Sequence, residues 1–224
     1  MSEQPLQVLL RALEQRGSTG PDLARLPVVC AELVEADGAS ICLCTHQGTV
    51  ATWRASDPRV GAAVSEQWSS GQGPGLGAAT SGTPVVESDL SASRRWPLFG
   101  AELVRQGLRG VIALPLQIEQ DRLGALTLYF RSPYRVPGED LGDLVELAGA
   151  VGQLLVLWHA QDPDTLDLLG DAAVVFQAAG VIAAQLGCSA DEGLDRLRSH
   201  AYGQRRDLLE LARHVVDGTV RFDD

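Results

Sequence analysis

The sequence feature that most constrains the fold is a helical pattern that runs from about Glu139 to Gln161 and stops at Asp162-Pro163-Asp164. Proline has no N–H to donate and forces the residue before it out of the α region, so a helix rarely continues through such a site. The break divides the 224-residue chain into a larger part, 1–161, and a smaller one, 162–224. A unit of about 150 residues buries roughly two-thirds of its unfolded surface and needs no metal or disulfide. The smaller part is marginal alone and gains from packing against a neighbour or a second copy.

Charge limits the partners. The chain carries 29 acidic against 18 basic residues, a net charge of −11. Phosphate backbones repel such a protein, so nucleic-acid binding requires a local basic surface. Cys30, Cys42, Cys44 and Cys188 lack disulfide-framework or zinc spacing. The N-terminus lacks the features of a secretory signal, and no apolar run approaches the roughly 20 residues that span a bilayer. The expectation is a soluble, cytoplasmic protein with no membrane partner.

In the larger part, Leu6, Leu9, Leu10 and Leu13 recur at helical spacing, and a second helix is predicted over 22–35 with Leu26, Val29, Cys30 and Leu33 on one stripe. Alternation over 39–44 and 49–56, around Gln47-Gly48, reads as a hairpin in which Cys42 and Cys44 share a face as core fillers. A helix over 58–70 leads into GQGPGLG (71–77), read as a loop whose glycines let the backbone turn tightly beside a sheet. No Gly-Lys-Ser/Thr follows it and a helix precedes it, which counts against a phosphate loop. TPVVESDL (83–90) reads as a strand leaving into a loop and 94–108 as a loop and helix, while 110–118 and 123–131 form a second hairpin. The order implies an α+β domain with a largely antiparallel sheet.

The 139–161 helix closes this part. Leu141, Leu144, Ala148, Val151, Leu155 and Trp158 follow a coiled-coil seam, and Val145, Leu147, Leu154 and Leu157 add a second apolar surface. One sheet contact would not use both, so the helix is expected to face its own domain and a second subunit, with 6–13 joining in a bundle.

ADGASICL (36–43), ASDP (55–58), GQGPGL (71–76), SGTPVVESDL (81–90), RWPLF (95–99), GVIALPLQ and LGALTLYF stand in an order that resembles GAF domains, the sensor modules of bacterial regulators, in their actinobacterial form. The resemblance implies an antiparallel sheet of six strands or similar, with a ligand pocket under the 58–108 crossover. Gly75 departs from relatives that often carry cysteine there. No haem-ligand histidine or bilin-type cysteine is placed to serve; His46 falls in a hairpin turn. No cofactor is expected, and the signal, a small molecule or a partner, is left unnamed.

The smaller part reads as three helices. Leu169, Ala172, Phe176, Ala179, Ala183 and Leu186 step by three or four, with Leu168, Val175 and Ile182 alongside, and Gly187 is placed as a C-cap. Ser189 to Glu192 is a capping-box pattern. Leu194, Leu197 and Ala201 face inward on the second helix, and Leu208, Leu211, Ala212 and Val215 on the third.

Gln177-Ala178, Gly180, Gln185 to Gly187, Ser189, Leu197-Arg198, Ala201, Ala212 and Val215-Val216 resemble the ANTAR domain, the RNA-binding module of transcription antiterminators. The resemblance implies a homodimer that grips paired RNA hairpins which compete with a terminator. Hairpin loops are read through unstacked bases, and their backbone through Arg or Lys. The RNA-binding candidates are Arg198, Tyr202, Arg205, Arg206 and Arg213, with His200 a weaker one. Between Arg196 and His214 five arginines face only Asp207 and Glu210, so the basic residues are concentrated here. The alternative is that they only solvate two outer helix faces. Ala179 stands where many ANTAR members carry lysine, which removes a cation from the first helix.

The expected architecture is therefore α+β, a GAF-type antiparallel sheet with flanking helices over 1–161 that include N- and C-terminal dimerisation helices, then a small all-α three-helix ANTAR domain over 162–224. The expected function is a signal-responsive antitermination regulator. The alternative is a protein-interaction adaptor or dimerisation module with a degenerate ANTAR domain. No paired carboxylates, His-Cys arrangement or metal cluster lies at catalytic spacing, so no enzyme activity is expected.

Overall fold

The structure, a computed structural model, describes residues 4–14, 25–44, 50–118, 121–134, 136, 140–161, 170–204 and 206–222. The breaks read at 45–49 and 162–164, His46 and the start of the seventh helix lie outside them.

In chain order the elements begin α1 (Pro5–Glu14), α2 (Leu26–Leu33), β1 (Gly38–Cys44), β2 (Val50–Ala55), α3 (Pro58–Ser70) and α4 (Pro74–Ser81). They continue β3 (Val85–Glu87), α5 (Pro97–Arg105), β4 (Gly110–Ile118), β5 (Asp121–Phe130) and α6 (Asp140–Gln161). Prolines open α1, α3, α4 and α5, where the missing N–H costs no helical bond. Asp57 caps α3: its Oδ1 accepts from the N–H groups of Arg59 (2.9 Å) and Val60 (3.3 Å). Burial works to raise the Asp57 carboxyl, but these amides, the Ser56 hydroxyl and the Arg59 side chain outweigh it and hold it below its usual range.

Among the described residues the sheet has five strands in the order β2-β1-β5-β4-β3, every pair antiparallel. These five among the described residues agree with the implied antiparallel sheet of six strands or similar. Alternation sends the strand residues to two cores. Ile41, Ile112, Leu114, Leu126 and Leu128 face α1, α2 and α6, while Cys42, Val111, Ala113, Ala125 and Tyr129 face α3, α4 and α5.

The coiled-coil seam of α6 is consumed inside this part of the chain. Leu144, Ala148, Val151, Leu155 and Trp158 are buried in the first core with Leu147, Leu154 and, from α1, Leu9 and Leu13. Val145, Val156 and Leu157 remain exposed. Leu33, expected on the inner stripe of α2, is also exposed. The stretch Asp140–Trp158 is, against the sequence expectation, long and apolar enough to cross a membrane by length and composition. Half of it is buried inside the protein, where its leucines cover the sheet.

The GQGPGLG loop is a second correction. Its latter half is the first turn of α4, with Gly73 as N-cap and Pro74 opening the helix. Low intrinsic helix propensity made it read as a loop. Close packing decides otherwise: a Cβ on Gly75 would meet Thr127 Oγ1 at 2.8 Å. The Gly75 and Leu76 N–H groups donate to the buried Gln67 Oε1 at 3.0 and 3.3 Å, so a side chain of α3 satisfies the free amides of α4. Beside it the Ser40 and Tyr129 hydroxyls share a 3.1 Å hydrogen bond, and burial raises the Tyr129 phenol well above its usual range. Glycine at 75 is a packing requirement here, which is a physical reason for the absent thiol.

Candidate nucleic-acid interface

The described part of the C-terminal region forms α7 (Gly170–Leu186), α8 (Ala190–Gln204) and α9 (Leu208–Val216). Local chemistry sets the boundaries. Gly187 takes φ 64°, and the Cys188 N–H donates back to Ala183 O at 3.1 Å, closing α7. The Ser189 N–H donates to Glu192 Oε2 (2.9 Å) while the Glu192 N–H donates to Ser189 Oγ (3.2 Å), the reciprocal capping box read from the sequence. The Ser189 N–H, together with the Ser189 hydroxyl donating to the same Oε2 at 3.0 Å, holds the Glu192 carboxyl below its usual range. Asp207 caps α9 through the Glu210 N–H at 3.0 Å.

Small residues set the packing of α7 on α8. A Cβ on Gly193 would lie 2.3 Å from Ala179 O, so only glycine permits this approach. Ala179 is itself 2% exposed. The position read as a lost surface cation is therefore buried at the helix crossing, where a lysine would displace the packing.

The inward residues Val175, Ala178, Ile182, Leu194, Leu197, Ala201, Leu208, Leu211, Ala212 and Val215 join the second core of the sheet domain without a gap. Helix α7 packs on β2, and α8 and α9 pack on α3. The module is thus seated on the sheet domain by its apolar side.

That seating distributes the sequence-predicted cations over different surroundings. Arg198 and Tyr202, one turn apart on α8, line a cleft of about 520 Å³ with Asp195 and Ser199. The opposite wall is the end of α3 and the turn after it, Ser69 to Gln72, with Leu98 of α5 at the rim. The Arg198 side chain is 17% exposed, and its Nη1 lies 3.5 Å from Asp195 Oδ1. Arg206 sits between α8 and α9, its Nη2 2.9 Å from His214 Nδ1 and 3.4 Å from Glu210 Oε1. Arg213 is exposed in the last turn of α9. His200 packs on the Phe222 ring with centroids 4.8 Å apart, in a tail tied back by the Phe222 N–H donating to Gln185 Oε1 at 3.0 Å. Arg205 lies outside the described residues. Among the described residues no group of three or more His, Cys, Asp and Glu side chains is placed to hold a metal.

The sensor-side members of the cleft escaped the sequence reading, although Gly71 and Gln72 belong to the glycine-rich motif it singled out. No local signal says that a loop and a helix more than a hundred residues apart will meet.

A sheet domain with a helical module seated on it makes a chain of two parts. Family comparison gives both parts a place: the GAF domain model matches residues 25–156 and the ANTAR domain model residues 168–216. The chain belongs to the GAF domain family and carries an ANTAR domain after it. Comparison with curated proteins gives no match. Among solved structures, the GAF domain of an Acinetobacter phosphoenolpyruvate-protein phosphotransferase is 17% identical over 71% of this chain and 98% of its own, with a TM-score of 0.48. The corresponding domain from Coxiella burnetii is 16% identical over 70% and 96%, with a TM-score of 0.47. A free methionine-R-sulfoxide reductase from Neisseria meningitidis is 17% identical over 68% and 90%, with a TM-score of 0.45. GAF and ANTAR domains are regulatory and not typically catalytic, and together they mark a sensor-linked regulator of a kind that usually binds RNA.

Proposed function

We propose that this chain is a non-enzymic transcription antitermination regulator that binds paired RNA hairpins through its ANTAR domain under control of a signal, a small molecule or a partner, at its GAF domain. The observation that carries the reading is the ANTAR match on a three-helix module whose Arg198, Arg206 and Arg213 stand outside its apolar core. The stretch from Arg196 to His214, with five arginines against Asp207 and Glu210, is the locally basic part that an acidic chain needs to approach a phosphate backbone. Action as a cytoplasmic homodimer belongs to the same proposal. Val145, Val156 and Leu157 on the outer side of α6 would form the contact between copies.

The test is salt-dependent binding of the purified full chain to a paired-hairpin RNA. The slope of log K against log salt should be about −0.7 for each single-strand phosphate neutralised. A flat titration, or no binding at low salt, would count against the reading.

The adaptor reading keeps one supporting observation, the acidic balance of the chain. Ala179 no longer favours it, because that position is buried at the helix crossing. Recovery of a stable protein partner with no RNA would move the balance toward it.

A further inference from the structure

We propose that the cleft between the sensing part and α8 is a site for a phosphate group, held by Arg198 and Ser199 from the module and by Ser69 from the end of α3. Its volume of about 520 Å³ and its place between two domains fit a small-ligand site. A guanidinium flanked by hydroxyls is a donor set suited to a tetrahedral oxyanion. Arg198 is drawn well below the surface, where charge is less screened than on an open helix face.

The opposite wall makes room for it. Gly71 takes φ 66°, and Arg198 Nη1 lies 3.6 Å from where a Cβ would stand, so a larger residue there would be strained and would crowd the guanidinium. The Ser70 hydroxyl is turned back into α3, donating to Glu66 O at 2.8 Å, so on this wall the Ser69 hydroxyl and the Gln72 side-chain amide are the donors that line the cleft. Tyr202, half exposed beside Arg198, offers a ring on which a base can stack. Asp195 competes: its carboxylate is 3.5 Å from Arg198 Nη1, a long contact to a partner that is itself 77% exposed, which an incoming phosphate displaces.

Because one wall belongs to each part, a bound phosphate favours the seated arrangement, and its binding is linked to where the module sits. The phosphate has two sources, a free phosphate ester or the RNA backbone. In the second case the proposal rests on the RNA-binding reading.

The experiment uses the full chain and two probes, adenosine 5′-monophosphate followed by calorimetry and a paired-hairpin RNA followed by filter binding. Arg198→Gln should weaken the responding probe about tenfold and Ser69→Ala about threefold, while Asp195→Asn should strengthen it about threefold. Arg131→Gln, remote in sequence and paired with Asp37, should change neither. Saturable nucleotide binding that competes with RNA assigns the site to a free ester. A silent nucleotide with RNA affinity that follows Ser69→Ala assigns it to the backbone. Nucleotide binding with no RNA binding sinks the RNA reading and leaves the site standing. RNA binding that is indifferent to all three cleft variants, with no nucleotide binding, overturns the site and leaves the RNA reading intact. Silence of both probes overturns both.

Discussion

Helices α6 and α7 carry the same kind of pattern, long and apolar on more than one side, yet the molecule uses them differently. One side of α6 covers its own sheet and α1, and its outer side keeps Val145, Val156 and Leu157 exposed. In α7 one side takes α8 and α9, while the other meets β2, so both are covered within one chain. The contrast shows that a second apolar side does not by itself signal a second subunit. It signals a second neighbour, which for α7 is the chain's own sensor.

The largest test of this contrast is a pair of cavity variants. Leu154→Ala on α6 and Ile182→Ala on α7 both remove fully buried side chains and should each cost about 3 kcal/mol in urea unfolding. Leu154→Ala should leave RNA affinity unchanged in the protein that remains folded, whereas Ile182→Ala should lower it, because of these two helices α7 belongs to the module and α6 does not. Equal effects on RNA would erase the distinction.

Gly193→Ala comes next. The added Cβ falls against Ala179 O, and overpacking at a helix crossing should cost about 2 kcal/mol. Hydrogen exchange should then rise in α7 and α8 and leave α6 protected.

Asp57 caps α3, the helix on which the module sits, and Asp57→Ala should cost about 1 kcal/mol near neutral pH. The folded carboxyl is held below its unfolded value. Its contribution is therefore complete above the unfolded value of about 3.9 and is lost as pH falls through the lower folded one. Wild type and variant should converge in stability in strong acid; a gap of constant size across the range would remove the cap as the cause.

The smallest effect on stability is expected at Leu157→Asp, within about 0.5 kcal/mol for so exposed a site. If the outer side of α6 joins two copies, the same change should abolish the dimer in sedimentation analysis. A dimer that survives would place the contact elsewhere.

What the sequence determined by itself is whatever is settled within a turn or two of chain. Gly187 as a C-cap, the Ser189–Glu192 box, Asp207 before α9, and the inward Leu194, Leu197, Leu211 and Val215 were all legible, because caps and stripes depend on neighbours three or four residues away. The two family resemblances were legible for a related reason, as short motifs in fixed order.

The tertiary structure decided what depends on distant partners. Pro74-Gly75-Leu76 became the start of a helix because Gln67 reaches its amides and Thr127 leaves Gly75 no room for a side chain. Ala179 became a buried crossing point because Gly193 closes on it. Arg198 and Arg206 look alike as cations on a helical surface, but one lines a cleft against the sensor while the other bridges toward His214 and Glu210. Helical spacing gives the face a residue stands on. What that face meets is fixed only when apolar surface from both parts of the chain is removed from water together.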